Sequence, residues 1–382
     1  MRIGFISTYP PIECGIATYT QYLTDALRAQ GIDAYIVSHY GGSGKNVFTA
    51  FDYEDGDLAE KAFSMMTRLT PDLVHIQHEF GLYGKHSGVS VIPLILQFRL
   101  ADIPVVVTLH TIYEEVRDEH RIILTSIIEN SNAIIIHEPY QLEALKHFIK
   151  RKELLDKIHV IPHGAREIEP IKNAKAALKI PEDEKVVLMI GYFRASKNFE
   201  RIVRLWPKIV EKHKKDDILL IIAGKVRNIE YRDYRNMLFR EINSSQARDT
   251  IEVIRGQISQ DSFDTIISAS DAVVLPYSII SQSGIVAHCL AFGKPIITSN
   301  TRVMTSLIEE TRAGLICNTD QDYTDNISKI LKDDELRKQL SENALRYVRN
   351  KVSWPKIAKN HIKIYKKLVE SSILNIDTIW MD

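Results

Sequence analysis

The sequence predicts an α/β protein of the doubly wound kind, two Rossmann-like domains in one chain, and three observations carry that prediction. At 382 residues the chain exceeds the size at which a single hydrophobic core usually stops growing, so two domains of about 150 to 200 residues fit best. Short β-branched runs alternate with longer amphipathic stretches, the pattern of a parallel sheet with helices on both faces. The runs themselves are mostly apolar without alternation, as strands covered on both sides must be.

In the first half the runs are "RIGFIS" (2–7), "DAYIVS" (33–38), "LVHIQ" (73–77), "PVVVTLH" (104–110), "NAIIIH" (132–137) and "KIHVIP" (157–162). A polar stretch with three prolines, 162–185, interrupts them. The pattern then restarts with "VVLMIG" (186–191), "ILLIIAG" (218–224), "TIEVI" (250–254), "AVVLPY" (272–277), "PIIT" (295–298) and "GLIC" (314–317). These runs assign 1–170 to a first domain and 171–352 to a second. Residues 353–382 form a last helix and tail expected to pack back on the first domain. Trp354, Ile357, Ile364 and Leu368 give that helix an apolar stripe, and Pro355 sits in the first turn, where a missing N–H costs little. In sheets of this type ligands lie beyond the carboxyl ends of the strands, so the two domains are expected to face one cleft.

Composition excludes several classes. Apolar residues at 45% and charged residues at 26% are ordinary globular values. Lys plus Arg equals Asp plus Glu at 49 each, which removes the long-range field of a nucleic-acid binder. Cys14, Cys289 and Cys317 are odd in number and far apart, against a disulfide framework or zinc cluster and in favour of a reducing cytoplasm. "MRIGFISTYPP" reads as a strand and turn rather than a signal peptide. No apolar run approaches the roughly 18 residues that span a bilayer, so any membrane contact is expected to be peripheral. "RNIEYRDYRNMLFR" (227–240), with arginines among aromatics, reads as an amphipathic surface helix.

Three segments carry chemistry. In "YPPIECGIATYTQYLTDAL" (9–27) Gly15 opens a helix whose amides can face an anion, in the first βα loop. In "GYFRASKNFERIVRLW" (191–206) Arg194 and Lys197 stand just before a helix. Cations there oppose the helix dipole unless an anion relieves them, which suggests a phosphate clamp. In "SQSGIVAHCLAFGKPIIT" (281–298) Ser283, Gly284 and Ile285 open a further helix with unpaired amides. The same helix carries one imidazole, His288, on an otherwise apolar surface.

Together with "PDLVHIQHEFGLYG" (71–84), "VVVTLH", "VIPHG" (160–164), "LLIIAGK", "VIRGQIS" and "SWPKIA", these segments resemble glycosyltransferase family 4, retaining enzymes of the GT-B architecture, over nearly the whole chain. The resemblance places Gly15 near the donor phosphate and acceptor, Arg194 and Lys197 on the diphosphate, and the amides of Ser283, Gly284 and Ile285 in the same cradle. It puts His110 beside the transferred sugar and the backbone near Ile258 along the nucleobase. His78 and Glu79 fall in a loop that faces the acceptor, Glu79 being the better candidate for a hydroxyl. His163 reads as hinge structure.

The sequence departs from the family at two glutamates eight positions apart, here Ile280 and His288. His288 can still bond a ribose hydroxyl, or it can be a satisfied core histidine. The resemblance implies a metal-independent transfer of a hexose to a glycan or lipid-linked acceptor. The donor is a nucleotide sugar, GDP-mannose first and a UDP-sugar second, and no cofactor is expected. A GT-B sugar epimerase and a non-catalytic nucleotide-sugar-binding protein are the alternatives.

Overall fold

A computed structural model describes residues 1–213, 217–226, 231–256, 258–278 and 284–379, with side chains up to 372. The chain divides into two compact units, Met1–Gly164 with Val352–Asp382, and Ala165–Lys351.

The first unit holds a parallel sheet of β1 (Arg2–Ser7), β2 (Asp33–His39), β3 (Val47–Phe51), β4 (Leu73–His78), β5 (Val105–Leu109), β6 (Ala133–Ile136) and β7 (Ile158–Val160), ordered β3-β2-β1-β4-β5-β6-β7. The second holds β8 (Lys185–Tyr192), β9 (Ile218–Lys225), β10 (Ile251–Arg255), β11 (Ala272–Leu275), β12 (Ile296–Ser299) and β13 (Gly314–Cys317), ordered β10-β9-β8-β11-β12-β13. Both sheets run outward in one direction from their first strand and then return to its other side. Each therefore has a topological switch point, between β1 and β4 and between β8 and β11, where the loops leaving adjacent strands part and open a crevice.

The apolar runs are buried as such strands require: β4, β5, β6, β11 and β12 are buried at every position. β3 was not among the runs that the sequence singles out. It is half-buried and pairs with β2 through a register shift at Ser38 and His39. An edge strand reached by a short loop, with no helix between, lacks the βαβ signature.

In the second unit β8 and β9 approach so closely that a Cβ on Gly224 would lie 1.9 Å from the Gly191 carbonyl oxygen. Only glycine permits that contact at the strand ends.

The last helix, Trp354–Ile379, belongs to the first unit. Trp354, Ile357, Ala358 and Tyr365 are buried in one cluster with Tyr19, Leu23 and Leu27 of the helix Gly15–Arg28. The indole lies against Gly164, where an added Cβ would come within 2.4 Å of the ring. Among the described residues no helix is long and apolar enough to cross a membrane.

Candidate functional site

In the second unit the chain leaves β8 through Phe193 and Arg194 into a turn of 3₁₀-helix, Ala195–Lys197. Asn198 then adopts a left-handed conformation (φ 54°) and the helix Phe199–Glu211 begins. Asn tolerates that backbone better than most residues, so the sequence itself permits the sharp change of direction. The turn places both cations at the switch point. Ser278, just past β11, donates its N–H to the Ser196 carbonyl at 3.0 Å, joining the two loops.

Lys197 is buried, 7% exposed, with Nζ 3.4 Å from the centre of the Tyr277 ring. Arg194 is half-buried, and its Nε is enclosed without a hydrogen-bond partner. Among the described residues neither cation forms an ion pair with a carboxylate. Burial, and secondarily the positive charge of Arg194, lowers the Lys197 pKa to about 7. A buried ammonium held by a ring face and repelled by a guanidinium is an unsatisfied arrangement, and an anion would complete it.

Gly284 opens the helix Gly284–Ala291, and a Cβ added there would meet nothing within 4 Å. Gly15 opens the helix Gly15–Arg28 in the first unit with the same open space. Neither glycine is demanded by packing within its own unit. Ile285 is half-buried beside Gly284, and Ile258 is half-buried just before the helix Gln260–Ala269. Ile280 and Ser283 lie outside the described residues.

His288 is half-buried. Its Nδ1 lies 3.3 Å from Nη2 of Arg166, whose guanidinium meets Asp264 with two hydrogen bonds of 2.8 and 2.6 Å. Arg166 can only donate, so Nδ1 accepts and the imidazole proton resides on Nε2. The Phe263 ring packs edge-on at 4.8 Å. The sequence raised neither Arg166 nor Asp264, which are 98 positions apart. No local spacing connects them.

The first unit is built differently. β5 and β6 are each followed directly by a histidine, His110 and His137. His137 Nδ1 lies 2.9 Å from the Ile161 carbonyl, which can only accept, so that nitrogen carries the proton. Its Nε2 lies 3.4 Å from His110 Nδ1. His110 Nε2 lies 2.8 Å from Gln77 Oε1, an amide oxygen that only accepts, so the His110 proton sits on Nε2. Burial is the main reason that His110 titrates well below the ordinary histidine value, and neighbouring imidazoles add to it. The ring is neutral, 5% exposed and fixed in orientation. Gln77 and His137 were missed as partners of His110, although the matching ends "VTLH" and "IIIH" of adjacent strands were a usable signal.

His78, at the end of β4, is fully buried, its ring parallel to Tyr83 and edge-on to Phe80. Neither ring nitrogen has a hydrogen-bond partner. Glu79 is half-buried and turns one carboxylate oxygen to the Gly81 N–H at 2.8 Å. His163 bonds the Gly164 carbonyl at 2.7 Å and packs on Tyr19 and Trp354.

Two parallel-sheet units of this topology, with a buried and a half-buried cation at one switch point, define the GT-B class of α/β proteins. The sequence matches the family described as glycosyl transferases group 1 over residues 170–347 and glycosyltransferase family 4 over residues 14–166. The chain belongs to these family 4-like GT-B glycosyltransferases.

Among relatives, an uncharacterized glycosyltransferase of Methanocaldococcus jannaschii is 29% identical over 52% of this chain and 49% of its own. The chain thus spans about half the length of that relative. The α-monoglucosyldiacylglycerol synthase of Acholeplasma laidlawii is 22% identical over 98% of this chain and 97% of its own. Of solved structures, the sucrose-phosphate synthase of Thermosynechococcus elongatus superposes with a TM-score of 0.77 at 18% identity, covering 97% of this chain and all of that one. Anabaena HepE in complex with UDP-glucose gives 0.75 at 13%, covering 96% of this chain and all of its own. Similarity at these identities is one of fold.

Proposed function

We propose that this chain transfers a hexose from a nucleotide diphosphate sugar to a hydroxyl of a glycan or lipid-linked acceptor, with retention at the anomeric carbon and without a metal ion. The observation that carries this reading is the Arg194 and Lys197 pair, buried or half-buried at a switch point with no carboxylate partner among the described residues.

Cleaving the sugar–phosphate bond leaves negative charge on the β-phosphate, and only groups that bind the transition state better than the ground state accelerate that step. Arg194 and Lys197 are already fixed in place, so they stabilise the leaving diphosphate without reorganisation. The amides that open the helix at Gly284 add partial positive charge to the same side. His288, with its proton on Nε2, can donate to a ribose hydroxyl, and Ile258 borders the base. Position 280 holds an isoleucine in place of a carboxylate, so the reading routes no covalent intermediate through it. In the first unit His110 acts toward the transferred sugar, held neutral and in register by Gln77 and His137. Gly15 leaves room for phosphate or acceptor at its helix, and the loop of His78 and Glu79 serves the acceptor, through Glu79 rather than the enclosed His78 ring.

Mannose from GDP-mannose is the first donor, on family frequency. UDP-glucose is the second, supported by the ligand named for the Anabaena neighbour and by the glucosyl transfer in the name of the A. laidlawii relative. A cytoplasmic location fits nucleotide-sugar donors. The test is nucleotide release from a panel containing GDP-mannose, UDP-glucose and UDP-galactose, with and without oligosaccharide or lipid-extract acceptors. Acceptor-dependent release with an α-linked product supports the reading. Free epimerised sugar supports the epimerase, and donor binding without turnover supports the non-catalytic alternative.

A further inference from the structure

The outward face of the last helix is used by nothing described so far. Trp354, Ile357, Ala358, His361 and Tyr365 are buried against the first unit, while Lys356, Lys359, Lys363, Lys366 and Lys367 are exposed. At 3.6 residues per turn these five lysines fall within an arc of about 100°. Glu370 is the first acid beyond them, and among the described residues none of the five is paired with a carboxylate. In a chain whose formal charge is zero, five adjacent unpaired cations concentrate positive potential on one face. Beyond them the sequence becomes apolar, "SILNIDTI" over 372–379, while the backbone remains helical.

We propose that this lysine stripe docks the first unit onto an anionic lipid bilayer. Charge complementarity supplies the attraction, each basic residue near such a surface contributing measurably and losing its effect with added salt. The composition of the stripe distinguishes a bilayer from a nucleic acid. The stripe has no arginine to grip phosphates in pairs and no aromatic residue among its lysines to stack on bases. Gln30, just past the end of the neighbouring helix Gly15–Arg28, anchors the start of this helix by donating to the Pro355 carbonyl at 2.9 Å. The stripe is thus presented on a packed element rather than a free tail.

The test is flotation of the full chain, without any donor, on vesicles of phosphatidylcholine alone and of phosphatidylcholine with about 30 mol% phosphatidylglycerol. Binding is expected only to the anionic vesicles, falling as salt rises from about 0.1 to 0.5 M. The triple variant Lys359→Ala/Lys363→Ala/Lys366→Ala should weaken partitioning by about 100-fold, given roughly fivefold per basic residue. The Lys→Arg triple should retain it. All three sites are exposed, so the melting temperature and nucleotide binding serve as controls for folding. Equal partitioning of the wild-type chain onto both vesicle types, or of the alanine triple and wild type onto anionic vesicles, would overturn the proposal. So would capture by a single-stranded RNA without capture by anionic vesicles. None of these readouts involves glycosyl transfer, so failure here leaves the proposed activity standing.

Discussion

The two units share a topology and divide their polar residues in opposite ways. Of the chain's thirteen histidines only His213 and His288 lie in the second unit. The first unit ties imidazoles into a network: His75 bonds Tyr365 at 2.6 Å and Thr108 at 2.7 Å, while His110 meets Gln77 and His137. The second leaves a guanidinium nitrogen without a partner and an ammonium on an aromatic face. A self-satisfied network fixes orientation, whereas an unsatisfied cation pair awaits a ligand. The same scaffold thus holds a bonded imidazole network in one unit and, in the other, the cation pair that we propose binds a diphosphate.

The contrast should break first with acid. Burial holds His78 and His137 at about 3 and His361 at about 4, all below the ordinary value near 6.5. The unfolded chain therefore binds more protons between those values, and their contribution to stability, complete above pH 6.5, is lost as pH falls toward 4. At about 1.4 kcal/mol per pH unit for each group, three groups over two units remove on the order of 8 kcal/mol, comparable with a domain's whole stability. Hydrogen exchange from pH 7 to 4.5 should show amides of the first unit losing protection before those of the second. Simultaneous loss would remove the distinction between the units.

The second break is chemical. Lys197→Ala or Arg194→Ala should cost about 2 to 4 kcal/mol of transition-state stabilisation, about 30- to 1,000-fold in kcat/KM, and excess EDTA should leave the wild-type enzyme active. Activity abolished by EDTA and restored by magnesium or manganese, with Lys197→Ala near wild type, would transfer the role to a metal. The third sharpens the comparison. His110→Ala should lower kcat by about 100-fold while nucleotide affinity stays unchanged, because the clamp belongs to the other unit. Equal loss of nucleotide binding would misplace His110.

The runs of branched residues made twelve of the thirteen strands legible, because strands buried on both faces leave no polar alternation to confuse the reading. β3 escaped because it is half-buried and joined to β2 without a helix. The cations were legible because acids belong where Arg194 and Lys197 stand. Their surroundings were not: Tyr277 follows another strand, and Arg166 reaches Asp264 and His288 through the fold alone. Tautomers were equally hidden, since the His110 proton is set by the Gln77 side-chain oxygen on the adjacent strand. The opening of the last helix was visible as a packing stripe, but its lysine face acquires meaning only once the opposite face is seen to be buried.

Lys197 and Arg194 are proposed to receive a diphosphate, and the lowered pKa of Lys197, about 7, makes that role directly testable. The unliganded protein loses the Lys197 proton as pH rises through that value, whereas a bound diphosphate favours the charged form and raises the pKa. Affinity should therefore fall as pH rises from 7, by up to about tenfold per unit until the liganded pKa is reached. Calorimetric titration of UDP and GDP at about pH 6.5, 7.5 and 8.5, in buffers of different ionisation enthalpy, reads both the affinity and the proton taken up. The account predicts weakening above pH 7 with proton uptake in the wild type, and a weaker, pH-independent affinity in Lys197→Ala. A flat profile in the wild type, or a variant that binds as tightly, would contradict it.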